Sequence, residues 1–177
     1  MLKRLLGLGG ALATGLLAAC DEAPQSQQLF LEGAGTWSYL VDAVKDGPLW
    51  VDVAGNPFAV ADADAARAMA EAVERGMTAL KITTTTDRAA AARPMYRLKV
   101  VLNPGPSANF RKLCQEMAPA GPPPEGKLEI LMGFCVEDEV RGAARGSLPT
   151  TDNPRAEPLV QLIGRMTRQV LARNTDR

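Results

Sequence analysis

The sequence predicts an α+β domain in which two helices pack on one face of a mainly antiparallel sheet of about four strands. Three observations predict it. Residues 95–102 (MYRLKVVL) and 127–136 (KLEILMGFCV) are β-rich runs whose apolar residues recur at period two. Residues 62–76 and 154–172 carry apolar residues at helical spacing. Gly- and Pro-containing turns separate these runs at short intervals.

The chain opens with Lys3 and Arg4, then an uncharged and mostly apolar run over 5–19, then Leu17-Ala18-Ala19-Cys20. The run is shorter than the roughly 20 residues that span a bilayer, and its layout is that of a secretory signal segment. Ordinary signal cleavage places small residues at −1 and −3, whereas Leu17 holds −3 here. The junction resembles a bacterial lipoprotein box of the signal peptidase II type. That resemblance implies cleavage before Cys20 and lipidation of Cys20, with three acyl chains such as palmitate. A buried acyl methylene contributes about 0.8 kcal/mol, so several chains make a permanent membrane anchor. The organisation expected is a signal peptide over 1–19, a tether over 20–29 and a single α+β domain over 30–177. Extended, the polar stretch 21–28 reaches no more than roughly 30 Å, which keeps the domain close to its membrane. The location implied is the cell envelope, facing the periplasm. Asp21 resembles an inner-membrane retention signal of enteric bacteria, a rule confined to some bacterial groups, so both membranes stay open.

Within the domain, Thr36 reads as the N-cap of a short helix over 37–45, with Trp37 and Leu40 turned inward. Residues 48–53 (PLWVDV) read as a strand with Leu49, Val51 and Val53 on one face and Trp50 and Asp52 on a solvated other. Asp62 or Asp64 caps the next helix, which Gly76 ends. Residues 80–86 (LKITTTT) follow as a strand, so this strand–helix–strand start adds a parallel pair. In the strand over 95–102, Tyr96, Leu98 and Val100 face one way and Arg97, Lys99 and Val101 the other. Ser107 caps a helical turn carrying Phe110 and Cys114. Pro makes 118–126 (APAGPPPEG) a stiff loop. In the strand over 127–136, Leu128, Ile130, Met132 and Phe134 share a face, opposite Leu131 and Cys135. Residues 140–148 (VRGAARGSL) read as a weak, Gly-broken edge strand guarded by arginines. Asn153-Pro154 starts the last helix, in which Leu159, Leu162, Ile163, Met166 and Val170 form the apolar stripe.

Composition then narrows the chemistry. Lys plus Arg and Asp plus Glu each number 20, and the leader holds two of the basic residues, so the mature chain is weakly acidic. No basic run steers it to nucleic acid. Histidine is absent, which excludes Ser-His-Asp and Cys-His hydrolysis, common zinc sites and imidazole acid–base work. Carboxylate, Lys and Ser-Lys chemistries stay open. Cys114 and Cys135 meet an oxidising compartment after export, where a disulfide is the default and two buried thiols the alternative.

The string Tyr96-Arg97-Leu98-Lys99-Val100-Val101-Leu102-Asn103-Pro104, then Leu113-Cys114, then Gly133-Phe134-Cys135, resembles a group of uncharacterised α-proteobacterial envelope proteins. The element order is also similar to small envelope lipoproteins that assist larger machines, such as outer-membrane activators of penicillin-binding proteins, although the tether here is far shorter. The expectation is a non-enzymatic binding or accessory module for an envelope protein assembly, without cofactor, metal or catalytic residues. The alternative is a periplasmic small-molecule or glycan binder using the Thr face of 83–86 with Trp50 or Tyr39. A third reading, carboxylate catalysis by Asp52 with Glu137 or Asp138, has no spacing that pairs them.

Overall fold

A computed structural model describes residues 23–115, 121 and 124–171. The elements are β1 (Gln25–Leu31), α1 (Ala34–Val44), β2 (Leu49–Ala54), α2 (Asp62–Gly76), β3 (Thr84–Thr85), β4 (Tyr96–Leu102), β5 (Lys127–Val136), β6 (Glu139–Pro149) and α3 (Glu157–Leu171). They form one six-stranded sheet of order β1-β6-β5-β4-β2-β3. The α+β class holds, with three helices and six strands in place of two and about four. The sheet is mixed: β1, β6, β5 and β4 pair antiparallel, whereas β2 runs parallel to both β3 and β4.

The main core lies between the sheet and the helices. Leu49, Val51, Leu98, Val100, Ile130, Met132 and Phe134 meet Leu40, Met69, Val73, Leu159, Ile163 and Met166, all essentially without solvent exposure. Alternation in the strands and helical spacing in α2 and α3 place these residues, as the sequence requires. Each fully buried aliphatic or Phe side chain contributes about 1.5–3 kcal/mol. A second, smaller core of Val101, Leu113 and Leu131 lies on the opposite face.

Five local expectations are corrected. Thr36 is no cap: α1 starts two residues earlier, after Gly33 at φ 97°, and the buried Thr36 hydroxyl donates to the Arg141 carbonyl at 3.1 Å. Neither Asp62 nor Asp64 caps α2. Asp62 accepts from Asn56 and Asp64 pairs with Arg67, and both favour the helix dipole from its first turn. The strand expected over 80–86 shrinks to Thr84–Thr85, the two residues in register with β2, and Glu74 accepts from the Thr84 backbone N–H at 2.6 Å and from its hydroxyl at 2.9 Å. The tether is shorter than 20–29, since Gln25–Leu31 is the edge strand β1. As a result β6 is an interior strand between β5 and β1. Its small residues are where α3 comes close rather than points of weakness.

Cys20 and the signal segment lie outside the described residues, as does most of the Pro-rich stretch 118–126.

Candidate functional site

The face of the sheet away from the helices carries the polar and aromatic side chains that could act. Alternation turns Trp50 and Asp52 of β2 and Arg97 and Lys99 of β4 onto it. The segment after β4 folds back over this face. Asn103, at φ 48°, turns the chain and bridges to Glu129 through both its backbone and its side chain. One turn of 3-10 helix over Phe110–Lys112 follows, with Asn109 accepting from the Arg111 N–H at 2.9 Å. Leu113 then fills the second core.

Cys114 is joined to Cys135 by a disulfide, with Cα atoms 5.6 Å apart. Arg97 lies beside it in register with Cys135 and donates to the Cys114 carbonyl. The face expected to be solvated is therefore partly covered. Lys99 is buried, and its ammonium lies 3.4 Å from the Asp52 carboxylate. Trp50 remains half-buried, with the Arg88 and Arg97 guanidiniums 5.4 and 5.6 Å from the centre of its ring system.

Beside this cover, toward the β1 edge, a groove of about 430 Å³ opens, lined by Leu29, Phe30, Phe110, Arg111, Asp138 and Val140 among others. A bulge at Leu29, between Gln28 and Phe30, lets successive apolar residues of β1 reach this region. The Phe30 and Phe110 rings stack at 6.4 Å with a 26° interplanar angle. Phe30 is 39% exposed, an unusual position for a Phe. Arg111 lies 5.4 Å over the Phe110 ring, and Asp138 of the β5–β6 turn and Glu139 at the start of β6 also line the groove. The groove is apolar at its centre and charged at its rim. Neither Phe30 nor Phe110 stands out in the sequence; they lie 80 positions apart, and only the pairing of β1 with β6 brings them together.

The other sequence candidates separate. Tyr39 belongs to the helix side, its ring tilted against Tyr96 and under Arg141, so it cannot join Trp50 on the opposite face. Thr84 spends its hydroxyl on Glu74 and the Ala70 carbonyl, and Thr85 bonds Asp87. Register places Asp52 level with Lys99 and, across it, Gly133, four residues short of Glu137, or about 13 Å along the strand. No carboxylate pair forms there. Among the described residues, no group of three or more His, Cys, Asp or Glu side chains is placed to hold a metal ion. No described helix is long and apolar enough to cross a membrane.

A further polar cluster escapes the sequence because its members come from α1 and the start of β4. Asp42 accepts from the Tyr96 hydroxyl at 2.8 Å and from Arg93 at 2.5 Å, and Lys45 lies 3.2 Å away. The Tyr96 hydrogen bond, then that from Lys45, holds the Asp42 carboxyl below its usual range, with the Arg93 charge adding to the effect. Burial, then the bond to Asp42, pushes the Tyr96 phenol up. A depressed carboxyl stabilises the fold above its unfolded pKa, and that contribution fades as pH falls below about 4. A raised phenol stabilises it below its unfolded pKa, and that contribution fades as pH rises past about 10. Thermal melts across pH should therefore fall off at both ends. Asp42→Asn should flatten the acid limb and Tyr96→Phe the alkaline one; limbs unchanged in these variants would remove the cluster from the pH response.

No family model matches the chain, and no curated protein matches it. Among solved structures it is similar to a PelC dodecamer variant from Paraburkholderia phytofirmans, at 14% identity and TM-score 0.46, covering 85% of this chain and 99% of that one. The PelC dodecamer of the same organism in another crystal form gives 14% identity, TM-score 0.44 and the same coverage.

Proposed function

We propose that this chain is a lipid-anchored cell-envelope protein, non-enzymatic, that binds another envelope protein as an accessory module. The groove around Phe30 and Phe110 is the observation that carries this reading. The exposed Phe30 stacked on the partly buried Phe110, in a concave patch rimmed by Arg111, Asp138 and Glu139, has the anatomy of a protein-binding surface. The anchor rests on the lipoprotein box ending at Cys20 and faces the domain to the periplasm.

Cross-linking in membranes of the native host tests it. The wild-type chain should give a discrete product with one envelope protein. Phe30→Glu places a charge at the groove centre and should weaken that product at least about thirtyfold, the scale of losing one interface hot spot. Phe30 is exposed, so the variant should melt at nearly the wild-type temperature. A wild-type chain that runs alone, or a product indifferent to Phe30→Glu, would overturn the reading. A melting temperature raised by an envelope glycan or small molecule would favour the alternative binder, with Trp50 as its platform.

A further inference from the structure

The α2–α3 side of the domain carries a groove of about 410 Å³. Its floor is the contact between Gly76 and Gly164, and Arg75, Arg165 and Arg168 stand around it. All three arginines are exposed. Glu157 is the carboxylate of the lining, and it accepts from Gln161 at 2.8 Å. Arg75 reaches Glu71 only at 3.9 Å, and Arg155 already holds Glu71 with two bonds of 3.1 and 3.2 Å. Arg165 and Arg168 meet no carboxylate among the described residues. Arg165 donates to the Pro24 carbonyl at 3.2 Å, and Arg168 to the Gly76 carbonyl at 3.0 Å. The second bond satisfies a carbonyl at the end of α2, where Gly76 is buried. The groove is left with a net positive charge.

The Arg165 bond fixes where the chain enters the domain. Pro24 is four residues from Cys20, a span of at most about 14 Å. The edge strand β1 starts directly after that span, at Gln25. Arg168 lies one turn further along α3 from Arg165, about 5 Å. A lipid on Cys20 would thus hold this face, and not the Phe30 face, against the headgroups.

We infer that Arg75, Arg165 and Arg168 form a seat for lipid headgroup phosphates, which orients the domain on its membrane with the Phe30 groove turned away. The inference rests on the lipid anchor of the proposed function. Guanidiniums suit phosphate through paired N–H donors, and each basic side chain near an anionic surface strengthens attachment about fivefold.

The test uses the full mature chain extracted from host membranes. Its mass is read first, then it is reconstituted into vesicles of phosphatidylethanolamine with a minority of phosphatidylglycerol and a headgroup quencher lipid. A fluorophore on Gln161→Cys reports the groove, and one on Ser107→Cys reports the helix-free side. Strong quenching at 161 and weak quenching at 107 is expected. The 161 signal should fall to the 107 level with Arg165→Glu plus Arg168→Glu, and should fall with added salt in the wild type, which needs no variant to fold. Acyl mass on Cys20 with equal quenching at both positions, or quenching indifferent to both charge reversal and salt, overturns this inference alone. An unacylated Cys20 overturns the anchor itself.

Discussion

Gly142→Ala is expected to destabilise the domain by about 2–3 kcal/mol, the upper range for overpacking, and to lower Tm by roughly 5–10 °C. Gly142 is the fourth residue of β6, flanked by Phe134 of β5 and Leu31 of β1. A Cβ there would meet the Val170 carbonyl oxygen well inside van der Waals contact, and the Val170 carbonyl carbon and Cα at 3.0 and 3.1 Å. Those atoms are backbone, in the last turn of α3, so no rotamer change relieves them. The helix must lift from the sheet or β6 must bend. Either movement loosens Val170 and Leu171, both buried. Gly133→Ala is the control. Its Cβ would meet the Cδ2 of Leu113 at 2.6 Å, the end of a flexible side chain that can turn aside, so the cost should be under about 1 kcal/mol. Urea melts of the two variants decide the matter. Equal losses would mean that the sheet tolerates or rejects a methyl for reasons other than the seat of α3.

Removal of the disulfide by Cys114→Ala plus Cys135→Ala should cost about 3 kcal/mol. The bridge closes a loop of 21 residues in sequence separation, and that closure limits the unfolded chain. Both sulfurs are buried, so alanine leaves small cavities without exposing polar atoms. The loss has a location as well as a size. Leu113 covers Val101 and Leu131, and after removal of the bridge it is held by packing and by the Arg97 bond to the Cys114 carbonyl. Arg111 and Lys112 lie just before it on the exposed turn. Trypsin should cut there much faster in the double variant while the β4–β5 ladder stays protected. If cleavage speeds up equally at every exposed arginine, the bridge acts through global stability and not by pinning this cover. Because Phe110 precedes Leu113 by three residues, the same variant should also blunt the Phe30–Phe110 groove. Partner cross-linking would report that loss.

Much of this molecule follows from local pattern. Period-two apolar residues over 127–136 coincide with β5, and helical spacing over 62–76 coincides with α2. The two buried faces follow directly, because a strand or helix with one apolar side must cover it. The Cys114–Cys135 disulfide agrees with the default expected from the secretory layout of the leader and the cysteine count. Local pattern failed wherever a distant partner supplied the decisive contact. Thr36 reads as a cap until Arg141, 105 positions away, offers its carbonyl. Residues 80–86 read as a strand, but only Thr84 and Thr85 come into register with β2, and the Thr84 N–H goes to Glu74 of α2. The 140–148 run reads as an edge because its glycines and alanines weaken a strand in isolation. In the fold they admit α3 on one face, and β1 covers the edge.

The sequence by itself determined the α+β class, the core faces, the missing imidazole chemistry and the cysteine pair, since each depends on residue type and short spacing. Only the tertiary structure decided which side chains meet: Phe30 with Phe110, Asp42 with Tyr96 and Arg93, and Arg165 with Pro24. These contacts join segments 51–141 residues apart, or 80 for the phenylalanines, and no local propensity encodes the strand order and helix seating that bring them together.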